Sequence, residues 1–205
     1  MNYQKRIALL CVATLLFSMP GSSSQRLDEA LNTNPAPETQ EEVTEVVVEP
    51  EAEPKWVGKN FTEEEQIVLS FLQERGVTDR AALATILGNI QQESRFNTII
   101  CEGGAHTGYH GCHSGGFGLI QWTTQGRYNG LGYFSKRYGL NPNELKTQLR
   151  WMVNEREWLS VEHHFMTPGK SINQYMNAAH RWLGWGIHGA RTSYANTYYS
   201  ALYQV

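Results

Sequence analysis

An abrupt change of composition at residue 55 sets what this 205-residue chain can fold into. Residues 26–55 hold nine acidic side chains, two basic ones, four prolines and no aromatic ring. Such a stretch cannot bury enough apolar surface to offset the entropy of ordering it, so it reads as a flexible, self-repelling tether. Val46-Val47-Val48 is its one strand-like run and is read as solvated with the rest. All six tryptophans and nine of the ten tyrosines follow residue 55. The core must therefore come from roughly 150 residues, the size of one domain.

Ahead of the tether, Lys5 and Arg6 precede a largely apolar run of eleven, Ile7 to Phe17, followed by Met19-Pro20-Gly21 and three serines. Eleven residues are too few to span a bilayer as an ordinary helix, and the pattern matches an export signal; a retained N-terminal anchor is the alternative. Cys11 has Leu10 before it, where lipidation wants a small residue, so a lipid anchor is not expected. The expected organisation is a signal or anchor at 1–24, an acidic linker at 25–58 and a folded domain at 59–205. The protein is then exported to the periplasm, the outside or a virion, and meets membrane only through an uncleaved N-terminus. Residues 56–205 carry 13 Lys and Arg against 11 Asp and Glu, a net +2, whereas the whole chain is −3. That excess suits a mildly anionic polymer and is far too small to argue for nucleic acid.

The folded part reads as mainly helical. Thr62-Glu63-Glu64-Glu65 is a capping box; Ile67, Val68, Phe71 and Leu72 follow at helical spacing, and Gly76 ends the helix. Thr78 is expected to open the next helix, with Ala82, Leu83, Ile86, Leu87 and Ile90 on one face. Residues 97–118 contain seven glycines, the mark of a long functional loop. Phe117 to Trp122 is a strand or a buried turn. Asn141-Pro142-Asn143-Glu144 reads as N-cap, N1 proline and N3 carboxylate of a helix running through Leu145, Leu149, Met152 and Val153. Ser171-Ile172-Asn173-Gln174 is a second capping box, and Gly184 stops its helix. A last helix is expected over Ala190 to Tyr203.

One side chain breaks the pattern. Glu93 lies nearly two turns beyond Ile86, at the end of the apolar stripe where another core residue is due. It also falls in the last helical turn, where backbone carbonyls disfavour negative charge. Burial and the helix end both favour the protonated acid. A carboxylic acid kept neutral is what cleavage of a glycosidic bond requires, a logic for which lysozyme is the standard case. The ordinary alternative pairs Glu93 with Arg95 at an exposed helix end.

The segment Ile86-Leu87-Gly88-Asn89-Ile90-Gln91-Gln92-Glu93-Ser94-Arg95-Phe96-Asn97 resembles the catalytic helix of the phage tail lysozyme family, within the wider lysozyme and lytic-transglycosylase superfamily. Gly115-Gly116-Phe117-Gly118-Leu119-Ile120-Gln121-Trp122-Thr123 resembles its second block. A long helix from Gln148-Leu149 to Glu157-Trp158 and the closing Arg191-Thr-Ser-Tyr194 are also similar, so the likeness covers about residues 60–204. It implies an α+β lysozyme-like fold, a helical domain whose glycine-rich irregular lobe forms a cleft. The implied substrate is the peptidoglycan glycan strand, cut at the β-1,4 bond between N-acetylmuramic acid and N-acetylglucosamine with no cofactor. Glu93 would be the general acid, Ser94 would orient it, and Gly118, Leu119, Ile120 and Gln121 would line the sugar cleft. Trp122, Tyr128 and Trp185 are candidate platforms for sugar rings, and Trp182 is expected in the core. Glu102, Glu155 and Glu157 are the nearest further carboxylates, and none is assigned as a second catalytic group.

Residues 101–113 depart from the family pattern. Cys101, His106, His110, Cys112 and His113 could bind zinc, but export favours a Cys101–Cys112 disulfide. Two other functions therefore stand beside the glycosidase: a zinc-dependent murein peptidase or amidase built on this cluster, and a non-catalytic wall-binding virion protein.

Overall fold

The computed structural model describes residues 55–113 and 115–205. The expected signal or anchor with Cys11, and the linker up to residue 54 with Val46-Val47-Val48, lie outside the described residues. Strand β1 (Trp56–Gly58) leads into helices α1 (Glu63–Glu74) and α2 (Arg80–Ser94). The glycine-rich lobe follows, and then α3 (Gln125–Tyr138), α4 (Leu145–Met152), α5 (Arg156–Leu159) and α6 (Glu162–Met166). Helices α7 (Ile172–Leu183) and α8 (Arg191–Ala201) and strand β2 (Leu202–Gln204) complete it. This is the mainly helical class expected. Among the described residues no helix is long and apolar enough to cross a membrane.

Helix α2 is the axis of the fold. Every residue from Ala81 to Ile90 is buried, including the polar Thr85 and Asn89. Thr85 Oγ1 donates to the Ala81 carbonyl and Asn89 Nδ2 to the Thr85 carbonyl, while Asn89 Oδ1 is buried with no hydrogen-bond partner among the described residues. Its N-cap is Asp79 rather than Thr78: the carboxylate accepts from the backbone N–H of Ala81 and Ala82, the stronger cap at a helix start.

Helix α8 packs directly on α2. Arg80 meets Leu202, Gly88 meets Ala195 and Glu93 meets Arg191, so the two helices run antiparallel. A Cβ on Gly88 would lie 2.5 Å from the Ala195 nitrogen. Only glycine permits that approach, which delivers Arg191 to Glu93.

Both capping boxes are present, at Thr62–Glu65 and Ser171–Gln174. Three expectations need correction. The Asn141 side chain makes a turn, accepting from Asn143 N–H at 3.0 Å, and α4 starts only at Leu145. The expected long helix from Gln148 to Trp158 is two helices, broken where Glu155 takes extended backbone (φ −75°, ψ 151°). The final helix stops at Ala201 because Leu202–Gln204 pairs antiparallel with Trp56–Gly58. Residues 56–58, placed with the linker in the expected organisation, thus pair with strand β2, and Trp56 Nε1 donates to the Thr78 carbonyl.

Candidate active site

Glu93 sits in the last turn of α2, one residue before the helix ends. The chain turns away through two left-handed residues, Arg95 (φ 51°) and Phe96 (φ 63°). Phe96 is buried against Tyr198, which fixes the helix end. The Glu93 side chain is 14% exposed, a covered carboxylate with an open edge. Its partner is Arg191, not the neighbouring Arg95: Nη2 of Arg191 donates to Glu93 Oε1.

Arg191 is the first residue of α8, where a cation meets the positive end of a helix. Glu93 is at the negative end of α2. Each charge stands at the wrong end of its own helix, and the antiparallel packing lets each answer the other. Burial pushes the Glu93 carboxyl above the usual carboxylate range. The hydrogen bond and charge of Arg191, then the charge of Arg127, act against it, and burial prevails.

Beside this pair lies a second, fully covered carboxylate. Glu155 accepts from Arg127 Nε (2.9 Å) and Nη2 (2.5 Å), from Trp122 Nε1 (3.0 Å) and from Trp182 Nε1 (3.1 Å). Arginine and indole nitrogens only donate, so this pocket is built for a carboxylate. Burial pushes Glu155 up and the four donors counter it. Glu155 therefore ties α3, α7 and the glycine-rich lobe together and holds Arg127 on the Glu93 side.

The glycine-rich lobe is joined to α2 by Ser94. Its Oγ donates to the Leu119 carbonyl at 2.7 Å, and Ser94 is buried. Ser94 thus fixes the lobe against the helix end instead of bonding to Glu93 or facing a sugar. The lobe is also clamped by Gln148. Its Oε1 accepts from Leu119 N–H at 2.8 Å, and its Nε2 donates to the Thr98 and Pro142 carbonyls at 2.7 and 2.8 Å. A Cβ on Gly118 would lie 2.5 Å from that amide, so the clamp needs glycine there.

Several residues expected to line the sugar cleft are packed inward. Gly118, Leu119, Ile120 and Trp122 are buried in a turn that forms the core of the lobe. The Trp122 ring is fully covered because its N–H requires the buried Glu155. Gln121 is half-buried, and its amide donates to the Gly118 carbonyl at 3.0 Å. Tyr128 is half-buried, but one face stacks on Tyr109 at 4.3 Å and its hydroxyl donates to the Tyr109 and Cys112 carbonyls. Tyr128 lines a polar cavity of about 550 Å³ with His110, His113, Thr123, Gln125 and Asn129. A cavity of about 610 Å³ between α1 and α4 contains none of the expected site residues. The Trp185 ring lies over the guanidinium of Arg191, the partner of Glu93, at 4.5 Å. Trp182 is core, as expected.

Cys101 and Cys112 form a disulfide. Their sulfurs are bonded to each other and so are not free as thiolate ligands. Among the described residues no three His, Cys, Asp or Glu side chains gather as a metal site. Glu102 is exposed on the lobe, and Glu157 lies 4.0 Å from Arg127 Nε.

Sequence reasoning missed Arg191, Arg127 and Gln148. Gln148 carried a signal, a polar residue on the apolar stripe of Leu145, Leu149 and Met152. Arg191 carried a fainter one, a cation opening a helix.

Residues 63–202 match the model of the phage tail lysozyme family. Over 124 residues the chain is 32% identical to Morphogenesis protein 1 of Bacillus phage B103, a stretch covering 57% of this chain and 32% of that protein. The similarity thus spans about a third of the relative's length.

Proposed function

The chain belongs to the phage tail lysozyme family, and on that premise we propose that it is a peptidoglycan hydrolase cutting the β-1,4 bond between N-acetylmuramic acid and N-acetylglucosamine, with Glu93 as the acid. The observation that carries this reading is the Glu93 carboxyl itself. It lies at the end of the buried α2 stripe, nearly covered yet open along one edge, with burial favouring its neutral form. Protonated Glu93 gives its proton to the glycosidic oxygen as the bond from C1 of the muramic ring to that oxygen breaks. The electron-poor C1 is then met by water, leaving a reducing end, or by the sugar's own 6-hydroxyl, leaving a 1,6-anhydro end, and the proton lost by the attacking hydroxyl returns to the Glu93 carboxylate. Glu155 is engaged by four donors, and no second catalytic carboxylate is assigned. Trp185, beside Glu93 and partly exposed, is the ring offered to a sugar face.

The test is turbidity loss of purified peptidoglycan with the wild-type chain and with Glu93→Gln. The substitution should cost about two to four orders of magnitude in rate, with the circular dichroism spectrum unchanged. Equal rates would end the assignment. Mass spectrometry of the products separates hydrolysis from anhydro-ring formation, and products with neither end would point to another bond.

A further inference from the structure

A general acid must enter the reaction protonated, yet in the free chain Glu93 accepts from a guanidinium. The two partners are anchored very differently. Glu93 belongs to the central, buried α2. Arg191 is tied to the segment 184–190, which has no helix or strand and is exposed except for Trp185. Its Nη1 donates to the Ile187 and His188 carbonyls at 3.0 and 2.9 Å, and Trp185 covers its face. Ile187 on that segment is 84% exposed. Arg191 Nε is buried without a hydrogen-bond partner among the described residues. The guanidinium is therefore not fully satisfied where it lies; Ala190 N–H beside it donates to Gln92 Oε1 at 2.8 Å, whereas its own carbonyl partners belong to the exposed part of the segment.

We propose that Arg191 is a positioning residue that opposes protonation of Glu93 in the free chain, and that a sugar seated on Trp185 loosens this pair so that Glu93 takes up a proton from solvent more readily and acts as the acid. This rests on the assignment of Glu93 above. Arg191 keeps its own charge, its carbonyl partners and its Trp185 contact throughout; only the bond to Glu93 is exchanged for a proton. The other charges are accounted for. Arg127 faces Glu93 from α3 and is neutralised by Glu155. His188 adjoins Arg191 and is bonded to Thr192, while His180 meets the edge of Trp185.

The pH profile of kcat/KM reports the free enzyme, and loss of the Glu93 proton sets its basic limb. Removing the nearby cation raises the pKa of the acid, so in Arg191→Met the basic limb moves to higher pH by about one to three units. Arg191→Lys, which keeps the charge, stays near wild type. A limb that does not move in Arg191→Met, or equal loss at every pH, overturns the proposal and leaves Arg191 a structural residue. A second measurement needs only the wild-type fold: carbon-13 NMR titration of the Glu93 carboxyl, identified by its absence in Glu93→Gln, with and without an N-acetylglucosamine oligomer. The midpoint should rise when the oligomer binds, and an unchanged midpoint overturns the proposal. The two readings fail separately. An active Glu93→Gln removes the acid assignment, whereas the carbon-13 titration reports on the ion pair whether or not Glu93 is catalytic.

Discussion

Glu155 shows how much can depend on one buried charge. Its carboxylate is wholly covered and accepts from Arg127, Trp122 and Trp182 at once. Glutamine has nearly the same shape, but it turns an NH2 toward groups that can only donate and leaves Arg127 without its counter-charge. Breaking a buried pair in this way costs about 3–5 kcal/mol. Glu155→Gln should therefore lower the unfolding free energy by that much, seen as a lower denaturant midpoint at an unchanged slope. A loss under about 1 kcal/mol, typical of an exposed ion pair, would mean that the four-donor hub does not form. Residues of this kind were unequally visible in the sequence. Glu93 was legible because an acid at the end of an apolar stripe violates the pattern. Gln148 breaks the stripe of α4 in the same way and was equally readable. Glu155 was not, since it sits between two short helices and all its donors come from distant segments. Trp122 could be read from sequence either as a sugar platform or as core, because nothing near it in the chain shows that its N–H reaches Glu155.

At the scale of the element, Gly88 sets two effects against each other. Propensity alone says that alanine in the middle of α2 should stabilise the helix by about 1 kcal/mol. The added Cβ, however, would lie 2.5 Å from the Ala195 nitrogen and 2.8 Å from its Cα, both backbone atoms that cannot step aside singly. Overpacking of this kind costs about 1–3 kcal/mol. The clash should win, so Gly88→Ala is expected to be less stable in equilibrium unfolding. It should also be slower on peptidoglycan, because the same helix pair carries Glu93 and Arg191. A more stable Gly88→Ala would show that the helices are not so close. Elements closed by local chemistry were legible in advance: both capping boxes lie within four residues of sequence. Elements decided by tertiary partners were not. Asn141-Pro142 looked like a helix start but forms a separate turn. The expected helix from Gln148 to Trp158 breaks because Glu155 must leave helical geometry to reach its donors.

On the scale of the whole molecule, strands β1 and β2 bring the two ends of the described part together. Trp56 pairs with Gln204, Val57 with Tyr203 and Gly58 with Leu202. Trp56 is further held by Gln73, whose Oε1 accepts its N–H at 2.7 Å and whose Nε2 donates to its carbonyl at 3.0 Å. Composition changes at residue 55, but a three-residue strand has no readable period and its partner lies far along the chain, so the pairing of residues 56–58 could not be read from sequence. A chain beginning at residue 55 keeps the strand pair. One beginning at residue 60 loses the strand pair and a Trp side chain packed on the core, and should be less stable by about 3 kcal/mol or more. Matching midpoints for those two shortened chains would show that the strand pair contributes nothing. The loss should stay at one end of α8. Leu202, where β2 starts, meets Arg80 at the beginning of α2, whereas Arg191 meets Glu93 at its end. The shorter chain should therefore melt earlier yet keep the basic limb of its pH profile. A displaced limb would mean that the strand pair and the ion pair are coupled through α8.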